Sequence, residues 1–468
     1  MFDKVLIANR GEIALRVARA CRELGIRTVA VYSTQDRDSA VVSYADEAVH
    51  IGPGPARHSY LYVPALVEAA RQTHASAVHP GYGFLSEDSD FAEVCADNGL
   101  VFIGPPAPVI ARLGDKAVAR RLMADAGLPV LPGSSAPLAS SDELYDLVDR
   151  IGLPVMIKAV AGGGGRGMAV VTTPSEILPA FTLLSGEAQA LFGDSRLYAE
   201  RYLPSARHVE VQILCDAHGN GLHLGVRDCS VQRRHQKLLE ESPAPALAPE
   251  VAAEMGARSV AGALAAGFVG AGTFEFVVDA QSNYYFMEVN CRIQVEHPVT
   301  ELVTGIDLVQ EQLRIAAGGR LGFEQADVVH RGVALECRIN VEDPDRSFAP
   351  TPGRIESFVL PGGPFVRVDT HGYPGYRMPA IYDSLLAKVL AWAPTRDQAL
   401  SRMERALGEF RATGPGIRTT AGFLRQVLAD PGFRSGSYDT GLVDRMLTEG
   451  RAPADAPAHA LDDGAPAA

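Results

Sequence analysis

The start of the chain carries the pattern that most constrains its fold, because two β-rich runs flank a segment of helical periodicity. The runs cover residues 5–8 and 28–33. The apolar residues between them recur at helical spacing, at Ile13, Val17, Ala20 and Leu24. A strand, a helix and a strand in this order form a parallel pair with a right-handed crossover. Since a further helix and strand follow, at 63–72 and 77–79, residues 1–114 are predicted to form a Rossmann-like layer.

The turn after the first strand lacks the glycine pattern of a dinucleotide site. It has the sequence Asn9-Arg10-Gly11-Glu12, not G-x-G-x-x-G. Glu12 would repel a pyrophosphate placed at the start of that helix. We therefore expect no dinucleotide there.

The rest of the chain changes character twice. The segment 129–141 is rich in Pro, Gly and Ser and marks a boundary. Strands dominate after it, so a second, α+β unit with hairpins is predicted. A strand at 334–340 opens a third unit, and an Ala- and Pro-rich tail after residue 446 is predicted to be disordered.

Composition excludes several classes of protein. The 43 Lys and Arg against 56 Asp and Glu give a net charge of −13, which argues against nucleic acid as the main partner. The six cysteines are scattered without a C-x-x-C pair, which indicates reduced thiols and a cytoplasmic protein. The most apolar stretch, 260–268, is short and rich in Ala and Gly, so no membrane span is predicted.

A glycine-rich segment at 162–168 follows a predicted strand that ends near Lys158. Its backbone N–H groups, including those of Gly163, Gly164 and Gly165, could surround phosphate oxygens, and Lys158 would supply a charge. No G-x-x-x-x-G-K-[ST] motif occurs, so a Walker-type site is excluded. A flexible surface hairpin is the alternative, and the residues alone leave both interpretations open.

Five polar side chains occupy alternate positions over 288–296. They are Glu288, Asn290, Arg292, Gln294 and Glu296. In an extended chain all five would share one face. Glu275 lies on the preceding strand of a predicted hairpin, and two carboxylates brought together need a cation between them. Oxygen ligands suit Mg²⁺ or Mn²⁺, so we favour a metal site over an exposed edge strand.

A basic run at 232–237 stands out in this acidic chain. Lys237, together with Arg292, could offer donors to an oxyanion or a phosphoryl group. A solvated turn with salt bridges to Glu240 and Glu241 is the usual structure of such a run. Spacing alone does not decide between the two.

Together these segments resemble the biotin carboxylase family, the ATP-grasp component of biotin-dependent carboxylases. The resemblance rests on segments in the family's order, namely IANRGEIA, HPGYGFLSE, GDK, GGGGRGM, RHVEVQ, RDCSVQRRHQK, GAGTFEF, EVNCRIQVEHPVTE and ECRIN. It implies an α/β and α+β multidomain fold. The implied units are a Rossmann-like domain at 1–114, an ATP-grasp domain at 115–332 with a lid at about 132–204, and a C-terminal domain at 333–446, before a tail at 447–468.

The resemblance also implies roles for individual residues. The groups expected to meet ATP are Lys116, Lys158, Gly163, Gly164, Gly165, Glu200, Leu203, His208, Gln232, His235, Lys237, Glu275 and Glu288. The expected ligands of Mg²⁺ or Mn²⁺ are Glu275, Glu288 and Asn290. Bicarbonate is expected to meet Lys237, Arg292, Gln294, the Val295 N–H and Glu296, with Glu296 as base. Tyr82 would pack the biotin ring, and Arg338 would stabilise its enolate.

The implied reaction converts ATP, bicarbonate and biotin into N1-carboxybiotin, ADP and phosphate through carboxyphosphate. It is the first half-reaction of an acyl-CoA carboxylase, such as the acetyl-CoA enzyme of fatty acid biosynthesis. No Met-Lys-Met biotinylation segment occurs, so biotin is expected on a separate carrier protein, with a separate carboxyltransferase and a homodimeric subunit. The alternatives are another ATP-grasp ligase and a catalytically inactive regulatory relative. Cys291 stands where Thr or Pro is common in the family and is expected to serve packing.

Overall fold

The computed structural model describes residues 1–162 and 167–448. The predictions for Gly163, Gly164 and Gly165, and for the tail beyond Thr448, lie outside the described residues. The last helix ends at Thr448, so the predicted start of the tail at 447 is wrong by two residues.

The N-terminal unit is a five-stranded parallel sheet in the order β3-β2-β1-β4-β5. Strands β1 to β5 are Lys4–Ile7, Arg27–Ser33, Glu47–Gly52, Ala77–His79 and Val101–Phe102. Helices α1 to α5 are Gly11–Glu23, Ala40–Tyr44, Val63–Thr73, Ser89–Asp97 and Ala107–Gly114. Helix α1 buries Ile13, Val17 and Ala20 against this sheet's core, which confirms the predicted strand-helix-strand unit.

The central unit contributes strands to two antiparallel sheets, one small and one large. Its strands β6 to β13 are Val155–Ala159, Met168–Val171, Leu197–Arg201, Arg207–Cys215, Gly221–Arg233, Gln236–Ser242, Gly270–Val278 and Tyr284–Asn290. Its helices α6 to α11 are Lys116–Asp125, Ser141–Ile151, Ile177–Phe192, Pro249–Ala265, His297–Thr304 and Leu308–Ala316. Strands β7, β6 and β8 form a small sheet packed against α7 and α8, in the predicted lid.

The C-terminal unit extends the large sheet of the central unit. Its strands β14 to β22 are Val333–Asn340, Glu342–Asp343, Ala349–Pro350, Gly353–Arg354, Ser357–Val359, Val366–Thr370, Arg377–Met378, Leu385–Ala393 and Arg411–Thr413. Its helices α12 to α15 are Arg396–Glu409, Ala421–Ala429, Pro431–Ser435 and Leu442–Thr448. Short 3₁₀ turns at Thr34–Asp36, Ala56–His58, Pro174–Glu176, Gln325–Asp327 and Pro344–Arg346 complete the chain.

One eight-stranded sheet crosses the predicted boundary at residue 333. Its order is β13-β12-β9-β10-β11-β14-β21-β19, and β11 pairs with β14 in an antiparallel register. The central and C-terminal units therefore share backbone hydrogen bonds, and their side chains meet on a common surface.

The basic run lies at the hairpin between β10 and β11, and β10 runs to Arg233. Arg234 and His235 both have positive φ, as a two-residue turn between twisted strands requires. Strand pairing turns Lys237 inward, where only 11% of its side chain is exposed. Glu240 and Glu241 are fully buried. The alternative of a solvated turn is therefore wrong for Lys237 and for the glutamates that follow it.

Within the described residues, helices that are both apolar and long enough to cross a bilayer are absent.

Arg227 is a fully buried cation at the middle of the large sheet. Its Nε lies 2.5 Å from Glu210 Oε1, and its guanidinium also donates to Gln212, Thr273 and Thr300 at 2.8, 3.2 and 2.9 Å. These partners lie on β9, β12 and α10. One side chain therefore joins β10 to three other elements.

Replacing Arg227 with Met should lower the free energy of unfolding by about 3–5 kcal/mol, because Glu210 would stay buried without its main partner. Urea unfolding followed by circular dichroism measures this loss. The control is Arg258→Met, which removes an exposed pair with Glu254 and should change stability by about 0–1 kcal/mol. Equal losses in the two variants would contradict the role assigned to Arg227.

Candidate active site

A cleft of about 1040 Å³ lies where the N-terminal sheet, the lid and the large sheet meet. All the predicted site residues that the structure describes line it, except Glu296. Those lining it are Tyr82, Lys116, Lys158, Glu200, Leu203, His208, Gln232, His235, Lys237, Glu275, Glu288, Asn290, Arg292, Gln294, Val295 and Arg338. Segments far apart in the sequence thus converge on one cavity.

Lys237 sits at the centre of a carboxylate cluster. Its Nζ lies 2.7 Å from Glu210 Oε2, 3.0 Å from Glu275 Oε1 and 2.6 Å from Glu296 Oε1. Burial alone would lower the pKa of Lys237, but the charges of the three glutamates raise it well above its usual value. This lysine therefore stays protonated at neutral pH.

Glu296 has no exposed side-chain surface and lies behind Lys237 and Arg338. Arg338 Nη2 lies 2.9 Å from its second carboxylate oxygen. Burial acts to raise the pKa of Glu296, but the charges of Lys237, Arg338 and Arg227 hold it well below the usual range. An ionised carboxylate beside two cations at the cleft wall can accept a proton once a ligand draws those cations away.

The polar row at 288–296 converges, though by a different geometry from the predicted extended strand. Strand β13 ends at Asn290, and Glu296 is the N-cap of α10, where Pro298 occupies the first turn. Arg292 bridges the turn by donating to Asn290 Oδ1 at 2.9 Å and to Gln294 Oε1 at 3.0 Å. The extended chain therefore ends at Asn290, and side-chain hydrogen bonds across the turn that leads to α10 keep the polar groups together.

Glu275 and Glu288 face each other across β12 and β13, as the predicted hairpin required. Glu288 pairs with Lys116, and Glu275 lies 2.9 Å from His208 Nε2 and accepts a hydrogen bond from Asn290 Nδ2 at 2.9 Å. Carboxylate and amide oxygens at this spot are the ligands that Mg²⁺ and Mn²⁺ prefer. The residues present therefore fit a divalent cation.

The base of the lid is fixed by Glu200, which is almost completely buried. Its carboxylate binds Lys158 Nζ on the neighbouring strand at 2.6 Å and Arg120 Nη1 on α6 at 2.6 Å. Arg120 also donates to the Leu131 carbonyl at 2.6 Å. The lid sheet is thereby tied to α6 while Lys158 and Leu203 reach the cleft.

Tyr82 and Arg338 form the opposite end of the cleft. The Tyr82 hydroxyl donates to Glu12, so the glutamate that argued against a dinucleotide has a polar partner inside the fold. Arg338 donates to Glu240 Oε1 at 2.6 Å. Thr420 Oγ1 donates to the Arg338 carbonyl at 3.0 Å and anchors that strand.

Sequence reasoning missed several residues of the site. Glu210 belongs to a group with His208 and Glu275 whose ligand atoms lie within 4.8 Å of one another. The alternation of His208, Glu210 and Gln212 along β9 could have found it. Glu87 closes the HPGYGFLSE segment but was assigned no role, and it binds Arg292 Nε at 2.7 Å and the Cys291 N–H at 2.9 Å.

Five of the six cysteines belong to hydrophobic clusters, and the sixth, Cys229, donates to Glu296 Oε1 at 3.8 Å. All six are buried and free. Cys291 belongs to an apolar cluster, and burial raises its pKa well above the usual value, which agrees with the predicted packing role.

Three family profiles match this chain. They are described as Biotin carboxylase, N-terminal domain, over residues 1–110, Carbamoyl-phosphate synthase L chain, ATP binding domain, over 115–323, and Biotin carboxylase C-terminal domain, over 336–445. Together the matches cover the described units almost from end to end.

Curated relatives and solved structures agree with these matches. A biotin carboxylase of Nostoc sp. is 52% identical over 445 residues, which is 95% of this chain and 99% of that relative. Biotin carboxylase 1 of Bacillus subtilis is 51% identical, with 95% and 98% covered. The biotin carboxylase domain dimer of Hydrogenobacter thermophilus 2-oxoglutarate carboxylase, in complex with MgADP, ADP and bicarbonate, has a TM-score of 0.93 at 45% identity, with 96% and 98% covered. A Campylobacter jejuni biotin carboxylase complex has a TM-score of 0.93 at 43% identity, with 95% and 99% covered.

Proposed function

Because the chain belongs to the biotin carboxylase family, we propose that it carboxylates biotin with bicarbonate at the expense of ATP. The products are N1-carboxybiotin, ADP and phosphate. The observation that carries this proposal is the ionised Glu296, buried directly behind Lys237 and Arg338, which line a cleft whose other end holds Lys116 and paired carboxylates. Such a site combines a base, anion donors and a place for a nucleotide.

The nucleotide end of the cleft is built from the lid and the large sheet. The residues proposed to bind ATP are Lys116, Lys158, Glu200, Leu203, His208, Gln232, His235 and Lys237, with Gly163, Gly164 and Gly165 from the glycine segment. Glu275, Glu288 and Asn290 would hold Mg²⁺ or Mn²⁺, and a cation held there supplies positive charge beside the phosphate oxygens. Lys116 and Lys158 would exchange their present carboxylate partners for phosphate oxygens.

Bicarbonate would lie between the two ends, on Lys237, Arg292, Gln294 and the Val295 N–H. It is a weak nucleophile until it loses its proton, and Glu296 would take that proton. An anion that takes hydrogen bonds from Lys237 weakens that lysine's bond to Glu296. The proton affinity of this carboxylate then rises when its substrate is bound.

The deprotonated bicarbonate would attack the γ-phosphate of ATP and form carboxyphosphate, with ADP leaving. Decomposition of carboxyphosphate gives CO₂ and a phosphate that can take the biotin N1 proton. Arg338 would stabilise the negative charge on the biotin ureido oxygen, a role supported by its position in the cleft lining together with Tyr82. The biotin nitrogen then attacks CO₂. Closure of the lid would keep water from carboxyphosphate.

We propose that the chain divides into units after residues 114 and 332. The matched family segments support this division, because one ends at 110 and the others begin at 115 and 336.

We propose that biotin is presented by a carrier protein, that a carboxyltransferase completes an acyl-CoA carboxylase, and that the chain forms a homodimer. The similar Hydrogenobacter domain is a dimer, which supports the last point. Six free, buried thiols fit the reducing cytoplasm.

Glu296→Gln should lower bicarbonate-dependent ADP release by about 10²–10⁴-fold, because the amide cannot accept the proton. ADP release is measured with Mg²⁺ and ATP, with and without bicarbonate, and then with free biotin at high concentration. ATP should still bind this variant, since Glu296 does not line the cleft.

The matched control is Glu311→Gln, which removes a buried carboxylate outside the cleft that pairs with Arg314. It should keep the full rate. A wild-type protein that releases ADP without regard to bicarbonate and biotin would overturn the proposed function. A fully active Glu296→Gln variant would overturn the assignment of the base.

ATP binding by the free protein should weaken as the pH rises through about 8, because burial and the charge of Lys158 lower the pKa of Lys116 to about 8. Above that pH the lysine is neutral and attracts phosphate less. Titration calorimetry with MgATP between pH 7 and about pH 9 measures the effect. Lys116→Arg keeps its charge throughout this range and should flatten the profile. An identical pH profile in the arginine variant would refute this assignment.

A further inference from the structure

Lys388 lies in the middle of β21, and its side chain is fully buried. It faces Arg338 on β14 and Asp369 on β19 in the strand register. A buried ammonium costs several kcal/mol unless it is well paired, so the partners of this lysine hold it in place and are held by it.

Those partners come from three parts of the fold. Lys388 Nζ lies 3.0 Å from Glu12 Oε1 in the first turn of α1 and 3.9 Å from Asp369 Oδ2. It also donates to the Val295 carbonyl oxygen at 2.9 Å, in the turn before α10. A single ammonium thus connects the N-terminal, central and C-terminal units at one point.

The contact with Val295 fixes the turn that carries the proposed bicarbonate donors. The preceding carbonyl, that of Gln294, accepts a hydrogen bond from His297 Nδ1 at 2.7 Å. Burial and the charge of Lys388 hold the pKa of His297 well below its usual value, so the ring is neutral. Two consecutive carbonyls are therefore anchored, which sets the direction of the Val295 N–H and the position of Glu296.

The contact with Glu12 fixes the other side of the same region. The Oε1 atom of Glu12 that meets Lys388 also accepts the Tyr82 hydroxyl. Asn9 Nδ2 holds the Tyr82 carbonyl oxygen at 2.7 Å. Tyr82 is therefore oriented by Lys388 through one shared carboxylate oxygen.

We propose that Lys388 is a positioning residue for the bicarbonate and biotin end of the cleft. Its ammonium sets the Val295 turn and the Glu12–Tyr82 pair at the same time, and it touches neither substrate. This inference rests on the proposed function. None of the polar contacts recorded for Lys388 within the described residues reaches Lys116 or Lys158 at the nucleotide end.

The test is Lys388→Met, which keeps the length of the side chain and removes its charge. We expect KM for bicarbonate and KM for free biotin each to rise about tenfold or more, with KM for ATP changed by less than about twofold. Lys388→Arg restores the charge and should recover part of the loss. KM values for the three substrates that move together, or not at all, would overturn the proposal.

Arg396→Met is the matched control for a merely structural effect. Arg396 forms an ion pair with the fully buried Glu241 in the same C-terminal unit, outside the cleft. Its loss should lower the melting temperature, but it should not raise KM for bicarbonate and biotin relative to KM for ATP. A separation of the same size in this control would show that instability alone produces it.

Glu12→Gln decides the question if Lys388→Met is not recovered folded. It keeps a hydrogen-bond acceptor for Tyr82 but removes the charge that ties this pair to Lys388. KM for biotin should rise while KM for ATP stays constant, and an unchanged KM for biotin would refute the proposal. The wild-type protein is assayed beside every variant, so failure of the proposed function shows as a missing bicarbonate dependence, whatever the variants do.

Discussion

The structure depends on the pairing of Lys237 with three carboxylates that come from separate elements. Glu210 lies on β9, Glu275 on β12, and Glu296 at the start of α10. None of these charges could be buried alone, because each would lose its hydration without compensation. The four charges therefore compensate one another only when the strands, the turn before α10 and the β10–β11 hairpin are all folded. Arg227 also compensates the charge of Glu210, by binding the carboxylate oxygen that Lys237 does not contact.

The ion pairs that hold the free protein together also contain the groups proposed to bind its substrates. Lys116 pairs with Glu288, Lys158 with Glu200, and Lys237 with Glu296. Under the proposed function, an incoming phosphate or bicarbonate would offer each lysine another anion, so binding would exchange ion pairs without leaving a buried charge uncompensated. The carboxylates released in this way become available to a cation or a proton. Charge compensation within the fold thus prepares the chemistry of the cleft.

Local sequence predicted those features whose causes are local. The periodicity of residues 5–33 predicted the first strand-helix-strand unit, and the pairing of Glu275 with Glu288 followed from a short hairpin. The prediction of an extended chain over 288–296 was wrong because β13 ends at Asn290 and the chain turns over the next six residues before α10 begins at His297. The conformation of a turn depends on which groups bind its carbonyls, and one of those groups is Lys388.

Buried charges escaped prediction because their partners are distant in sequence. Lys388 meets Glu12 from the opposite end of the chain. Nothing in the apolar run of β21 distinguishes this lysine from an exposed one. Glu210 was easier to predict, because it lies two residues after His208 on the same strand and therefore shares its face, and His208 was predicted as a site residue. Its importance comes from Arg227 and Lys237, and only the order of strands in the sheet brings those residues to it.

The pairing of β11 with β14 explains how so much charge is tolerated at the biotin end. It places Glu240 opposite Glu336, and β14 in turn places Arg338 opposite Lys388. Like charges directly opposite each other destabilise a sheet. Burial raises the pKa of Glu240 to about 7 and that of Glu336 well above its usual value, so the acidic pair retains a proton at neutral pH. The basic pair is offset instead by carboxylate partners, with Glu296 on Arg338 and Glu12 on Lys388. One sheet face therefore presents a fixed guanidinium to the cleft while the ammonium beside it remains entirely internal.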